Sequence, residues 1–112
     1  MTYIPKLSVC IPAYDMNGLG ATYLEESFHT LENQKLTDFE VIVSDQSDNN
    51  DVFELCKAWC KRLTLHHYWN HDGKRQASAN INYALGKACG AVYKVLFLDV
   101  FILSKTVWQD IV

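Results

Sequence analysis

Apolar residues in this chain fall in short blocks separated by polar loops. Leu7 to Pro12, LSVCIP, is an uncharged apolar run closed by proline. That is the pattern of a strand covered on both faces of a parallel sheet. Pro12 removes a backbone donor and sets the chain direction at the strand end. The loop AYDMNGLGA follows with two glycines, and then Leu24, Phe28 and Leu31 recur at helical spacing within TYLEESFHTLENQ. Their spacing predicts an amphipathic helix of about three to four turns.

A second unit begins at DFEVIVSDQSDNND. Phe39, Val41, Ile42 and Val43 predict a strand, and the Asp/Ser/Asn cluster predicts a loop. Asn50 or Asp51 is placed to cap the next helix, whose buried face is Val52, Leu55, Cys56 and Trp59. Leu63 to Trp69, LTLHHYW, favours a third strand. A helix is expected from about Gln76 to Cys89, with Ala77, Ile81, Ala84, Leu85 and Ala88 on one face and Gly90 as its terminator. VYKVLFLD predicts the fourth strand, ending at Asp99, and a short helix is expected near Ser104. Alternating strands and helices with charge-poor strands predict an α/β domain, three-layer α/β/α around a mostly parallel sheet. There are no repeats and no linker, so residues 1–112 are read as a single domain.

Composition narrows the partners. At 112 residues with 49% hydrophobic residues, a core is affordable for one small domain. A net charge of -3 with one basic pair, Lys74-Arg75, gives no broad surface for nucleic acid. The N-terminus lacks a charged region followed by a long apolar core, as a signal peptide would have. The longest apolar candidate, Val92 to Leu103, is interrupted by Lys94 and Asp99 and falls short of the ~18 residues of a span. A soluble cytoplasmic protein without a membrane span is expected. Of the cysteines, Cys56 and Cys60 with His66 and His67 admit a zinc site, but small buried thiols are the simpler reading.

In open α/β sheets, ligands bind beyond the carboxyl ends of the strands. The polar residues placed there are Tyr14, Asp15, Asp45, the Asn70 to Arg75 loop, and Asp99. Two strands, VIVSD and VLFLD, each deliver an acid to one edge. Taken singly, an acid after a strand is often only a turn former, but two acids, an aromatic and a basic loop on one rim describe a pocket. The turn after the first strand is not a dinucleotide fingerprint, and neither a P-loop nor a nucleophile elbow is present. Cys10 lies inside a strand and has no support as a nucleophile.

The ordered set LSVCIPAY, YLEESFHTLENQ, DFEVIVSDQSDN, NINYALGKACG and YKVLFLD resembles the nucleotide-sugar-binding N-terminal half of family 2 glycosyltransferases, which have the GT-A fold. The resemblance runs from about Leu7 to Trp108. It implies that Pro12, Ala13 and Tyr14 lie along the uracil and ribose of a UDP-sugar and that Asp45 accepts a hydrogen bond from the pyrimidine. It also implies that Asn82, with Ala84, Ala88 and Gly90, packs and orients the third helix beneath the site. Lys74 and Arg75 are expected near the diphosphate, an inference from charge alone.

Asp99 matches the first aspartate of the family's Asp-x-Asp motif, which holds a divalent metal. Here Phe101 stands where the second carboxylate is expected. Mg²⁺ and Mn²⁺ require oxygen ligands, so the resemblance implies an Mn²⁺ or Mg²⁺ site weakened or lost. Family members continue beyond this point into an acceptor groove and a general base. No residue here matches that base; Asp110, His66, His67 and His71 are the acids and bases available. An apolar C-terminal end is expected to self-associate into a homo-oligomer. The implied function is binding of UDP or a UDP-sugar, with inverting transfer to an unspecified acceptor. The alternatives are a non-catalytic nucleotide-binding remnant and an assembly partner that has lost its ligand.

Overall fold

The computed structural model describes residues 5–14, 18–33, 38–70, 77–90 and 92–95. Its elements run β1 (Leu7–Ala13), α1 (Gly20–Glu32), β2 (Phe39–Asp45), α2 (Asp51–Trp59), β3 (Leu65–Trp69), α3 (Ala77–Lys87) and β4 (Val92–Val95). The strands form one sheet in the order β3-β2-β1-β4, and every adjacent pair is parallel. The α/β expectation therefore holds for the described residues.

The sheet is covered on both faces, which is why β1 and β2 are apolar without alternation. On one face Leu7, Val9, Ile11, Phe39, Val41 and Val43 pack with Leu24, Phe28 and Leu31 of α1 and with Val52, Cys56 and Trp59 of α2. On the other, Cys10 and Ile42 meet Ala84 of α3. Phe28 is fully buried and its ring centroid lies 5.5 Å from that of Trp59. Truncating such a side chain to alanine costs about 3–5 kcal/mol. At the outer end of this layer, Arg62 makes two bonds to the Glu32 carboxylate, at 2.6 and 2.7 Å, and lies 3.9 Å from the Trp59 ring centre. That contact ties the end of α1 to the turn after α2.

Four local expectations differ. β1 runs one residue past Pro12. The third strand begins at Leu65 rather than Leu63, because the Leu63 amide donates to Trp59 O at 3.1 Å and so belongs to the turn closing α2. Asn50 occupies the N-cap of α2 without a side-chain bond, and the neighbouring Asn49 Oδ1 accepts from Asp51 N at 3.1 Å. α3 ends at Lys87, so Gly90 does not terminate it. Gly90 instead allows a close approach, since a Cβ there would stand 2.6 Å from Ser8 Oγ and 2.8 Å from Ser8 N. Its amide donates to Ser8 Oγ at 2.7 Å.

Among the described residues no helix is long and apolar enough to cross a membrane. Residues 96–99 of the expected fourth strand, the helix near Ser104 and the end expected to self-associate lie outside the described residues.

Candidate functional site

The carboxyl ends of three strands meet along one ridge. Ala13 is in register with Asp45, and Asp45 with Trp69. The pairing continues one residue further, where Gln46 N donates to Ala13 O and Asn70 N donates to Asp45 O, both at 2.8 Å. The loops after β1, β2 and β3 therefore leave the sheet side by side.

Asp45 is fully buried at this ridge. Its Oδ1 accepts Ser47 N at 2.9 Å, and its Oδ2 lies 2.8 Å from His67 Nε2. A carboxylate has no proton to give, so the hydrogen of that bond sits on Nε2. The His67 side chain is 8% exposed. It is held between Phe53 and Trp69, with ring centroids at 5.2 and 4.8 Å, the Trp69 contact being edge-on. A buried carboxylate is tolerated because donors replace its hydration, and here one is a backbone amide and the other an imidazole.

On the opposite face Asn80 ties the same strand ends together. Its Nδ2 donates to Ser44 O at 2.9 Å and, more weakly, to Ala13 O at 3.4 Å. Its Oδ1 accepts from Ser44 Oγ and from Asn70 Nδ2, the latter at 3.0 Å. Every hydrogen-bonding position of this buried amide is used, so the ridge is fixed from beneath. This corrects the expectation for Asn82, which is exposed on α3. Asn80 is four residues before Ala84 and therefore shares its buried face.

Of the residues expected to contact nucleotide, Pro12 and Ala13 are buried within β1, and Tyr14 stands just beyond with 52% of its surface exposed. Asp45 joins them at the ridge. Asp15, the 71–76 part of the loop with His71, Lys74 and Arg75, and Asp99, Phe101 and Asp110 lie outside the described residues. Asn80 and Ser44 were missed as site residues, and His67, named only among the available bases and possible zinc ligands, was not paired with Asp45. The signal for Asn80 was a polar residue on the apolar face of its helix; for His67 it was only the strand alternation that puts it on the same face as Asp45.

Two thiols flank the buried acids. Burial, and secondarily Glu40, push the Cys10 thiol up to about 11; burial, then Asp45 and Cys60, push Cys56 up to about 12. Both stay protonated at neutral pH, which removes them as nucleophiles. Cys60 and Cys89 are exposed, so the reading of all four as buried thiols holds only for Cys10 and Cys56.

The donor set for a metal is thin. Among the described residues no three His, Cys, Asp or Glu side chains come together as they would around an ion. The sequence Asp99-Val100-Phe101 supplies one carboxylate and a phenyl ring that offers no oxygen. These residues do not fit a firmly held ion.

Comparison with known proteins gives this ridge a context. Residues 8–100 match the model of glycosyl transferase family 2. A GalNAc(5)-diNAcBac-PP-undecaprenol beta-1,3-glucosyltransferase of Campylobacter jejuni subsp. jejuni is 31% identical over 97 residues, 86% of this chain and 29% of that protein. Residues 1–349 of S. aureus TarS, in complex with UDP-GlcNAc, superpose with a TM-score of 0.79 at 25% identity, covering 94% of this chain and 29% of that one. Mannosyltransferase PcManGT from Pyrobaculum calidifontis, in complex with GDP-Man and Mn²⁺, gives a TM-score of 0.78 at 21% identity, over 96% of this chain and 31% of that one. The chain thus spans less than a third of the length of these relatives. The fold is that of GT-A glycosyltransferases, and the chain belongs to glycosyl transferase family 2.

Proposed function

We propose that this chain binds UDP or a UDP-sugar at the carboxyl edge of its sheet and serves as the nucleotide-binding part of a glycosyltransferase. The observation that carries the reading is Asp45, a buried acceptor fixed where the loops after β1, β2 and β3 leave together. The UDP-GlcNAc complex of TarS supports uridine as the base. In this reading Tyr14 supplies an aromatic surface for the uridine, and Asp45 accepts the N–H of the uracil imide. Lys74 and Arg75 neighbour the diphosphate. Asp45 is completely covered, so a base reaches its remaining lone pairs only when the side chains over it give way.

Calorimetric titration with UDP, in Mn²⁺ and again in EDTA, tests the proposal. The expected result is binding in both, with a small difference because one carboxylate holds an ion poorly. Replacing Asp45 by alanine removes the acceptor from a buried donor and should weaken binding by about 1–3 kcal/mol. No measurable affinity for UDP in either condition would overturn the reading.

A further inference from the structure

We infer that His67 is the residue that sets base selectivity, by holding Asp45 as a hydrogen-bond acceptor. The inference rests on the nucleotide reading above and goes beyond it. Asp45 is fully buried, and among the described residues its bonds are to the Ser47 amide and to His67 Nε2. Among the described residues the buried Cys56 of α2 also feels the charge of Asp45, and it remains a neutral thiol that cannot compensate a carboxylate. His67 is thus the side chain that satisfies Oδ2. Its own position is set by Phe53 from α2 and Trp69 two residues along the same strand.

The consequence is chemical. An ionised carboxylate accepts and cannot donate. Uracil presents an N–H between two carbonyls, whereas cytosine presents a bare ring nitrogen at that position, which a carboxylate repels. Selectivity of this kind comes from the unfavourable juxtaposition as much as from the favourable one. Without the Nε2–H, Oδ2 loses the bond that holds the carboxyl group in one orientation. Asp45 then no longer presents a fixed acceptor to the uracil N–H, and the preference over cytosine falls. His67 acts through Asp45, so it is a positioning residue.

The test is a titration of the 112-residue chain with UDP and with CDP, repeated for His67→Gln and His67→Leu. Glutamine places its amide nitrogen at the same reach as Nε2, while leucine keeps the bulk and removes the donor. The wild-type chain should favour UDP, His67→Gln should retain that preference, and His67→Leu should lower it by roughly tenfold or more. An unchanged UDP-to-CDP ratio in folded His67→Leu overturns the inference while leaving the nucleotide reading intact. If His67→Leu does not fold, His67→Asn, whose amide is too short to reach Oδ2, is read instead, with an unchanged ratio again decisive against it. Absence of UDP binding by the wild-type chain would remove the nucleotide reading itself.

Discussion

Strand β2 carries a buried acid at each end, and the two ends have been built differently. Glu40, near the start, accepts from Ser8 Oγ at 2.6 Å and from Cys89 N at 2.7 Å, and His66 Nε2 lies 3.8 Å away. Gly90 closes the arrangement by donating to Ser8 with no room for a side chain. Asp45, at the other end, has one fixed backbone donor and one side-chain donor, at the ridge where three loops depart. The first acid fastens the segment after α3 to β1 and β2. The second has its geometry preset at the edge where the loops after β1, β2 and β3 begin. Two buried carboxylates on one strand can therefore serve opposite ends, and the nature of their donors separates them.

The comparison can be broken most severely at the closed end. Glu40→Ala leaves the buried Ser8 hydroxyl and the part-buried Cys89 amide without an acceptor, each costing up to about 1–3 kcal/mol. Chemical denaturation should show a stability loss of roughly 2–5 kcal/mol on that basis, with UDP affinity of the folded fraction unchanged. Gly90→Ala forces a methyl into Ser8 and should cost about 1–3 kcal/mol or more by the same measurement. A neutral result for both would show that the closed end is not a fastening.

At the ridge, Asp45→Ala should reverse the pattern and weaken UDP binding by about 1–3 kcal/mol, read by calorimetry. If Glu40→Ala impaired binding equally, the functional distinction between the ends would disappear. Each acid also has a thiol beside it, Cys10 near Glu40 and Cys56 near Asp45, and both thiols titrate higher when folded than the ordinary value of 9.0. The unfolded chain loses these protons first as pH rises, so it binds fewer protons than the native state and stability must fall. Their contribution is full below about pH 9 and is lost as pH rises through about 11 and 12. Denaturation midpoints should fall over that window, and Cys56→Ala should flatten the fall. The smallest effect belongs far from both ends. Arg62→Ala removes an exposed contact to Glu32 and the stacking on Trp59, and a slight drop in melting temperature with unchanged UDP affinity is expected.

Much of the fold was legible because burial on both faces leaves an unmistakable pattern. LSVCIP and VIV carry no charge, and each intervening helix shows its apolar stripe. The end of β2 was also legible, since Asp45 follows directly on an apolar run. What could not be read was which polar residues meet. Asn80 and Asn82 are two residues apart on one helix, and only the packing of Ala84 on Cys10 and Ile42 turns Asn80 inward.

The sequence by itself determined that this chain forms alternating strands and helices with polar residues gathered at the carboxyl edge, because hydrophobic periodicity is a local property. It also shows Phe101, which offers no oxygen ligand, two residues after Asp99. Only the tertiary structure decided that His67 meets Asp45 at 2.8 Å, that Asn80 joins three strand ends, and that Glu40 is matched by donors from β1 and from beyond α3. Those partners lie 10 to 67 residues apart. A hydrogen bond depends on distance and angle in space, and the register of a parallel sheet sets both.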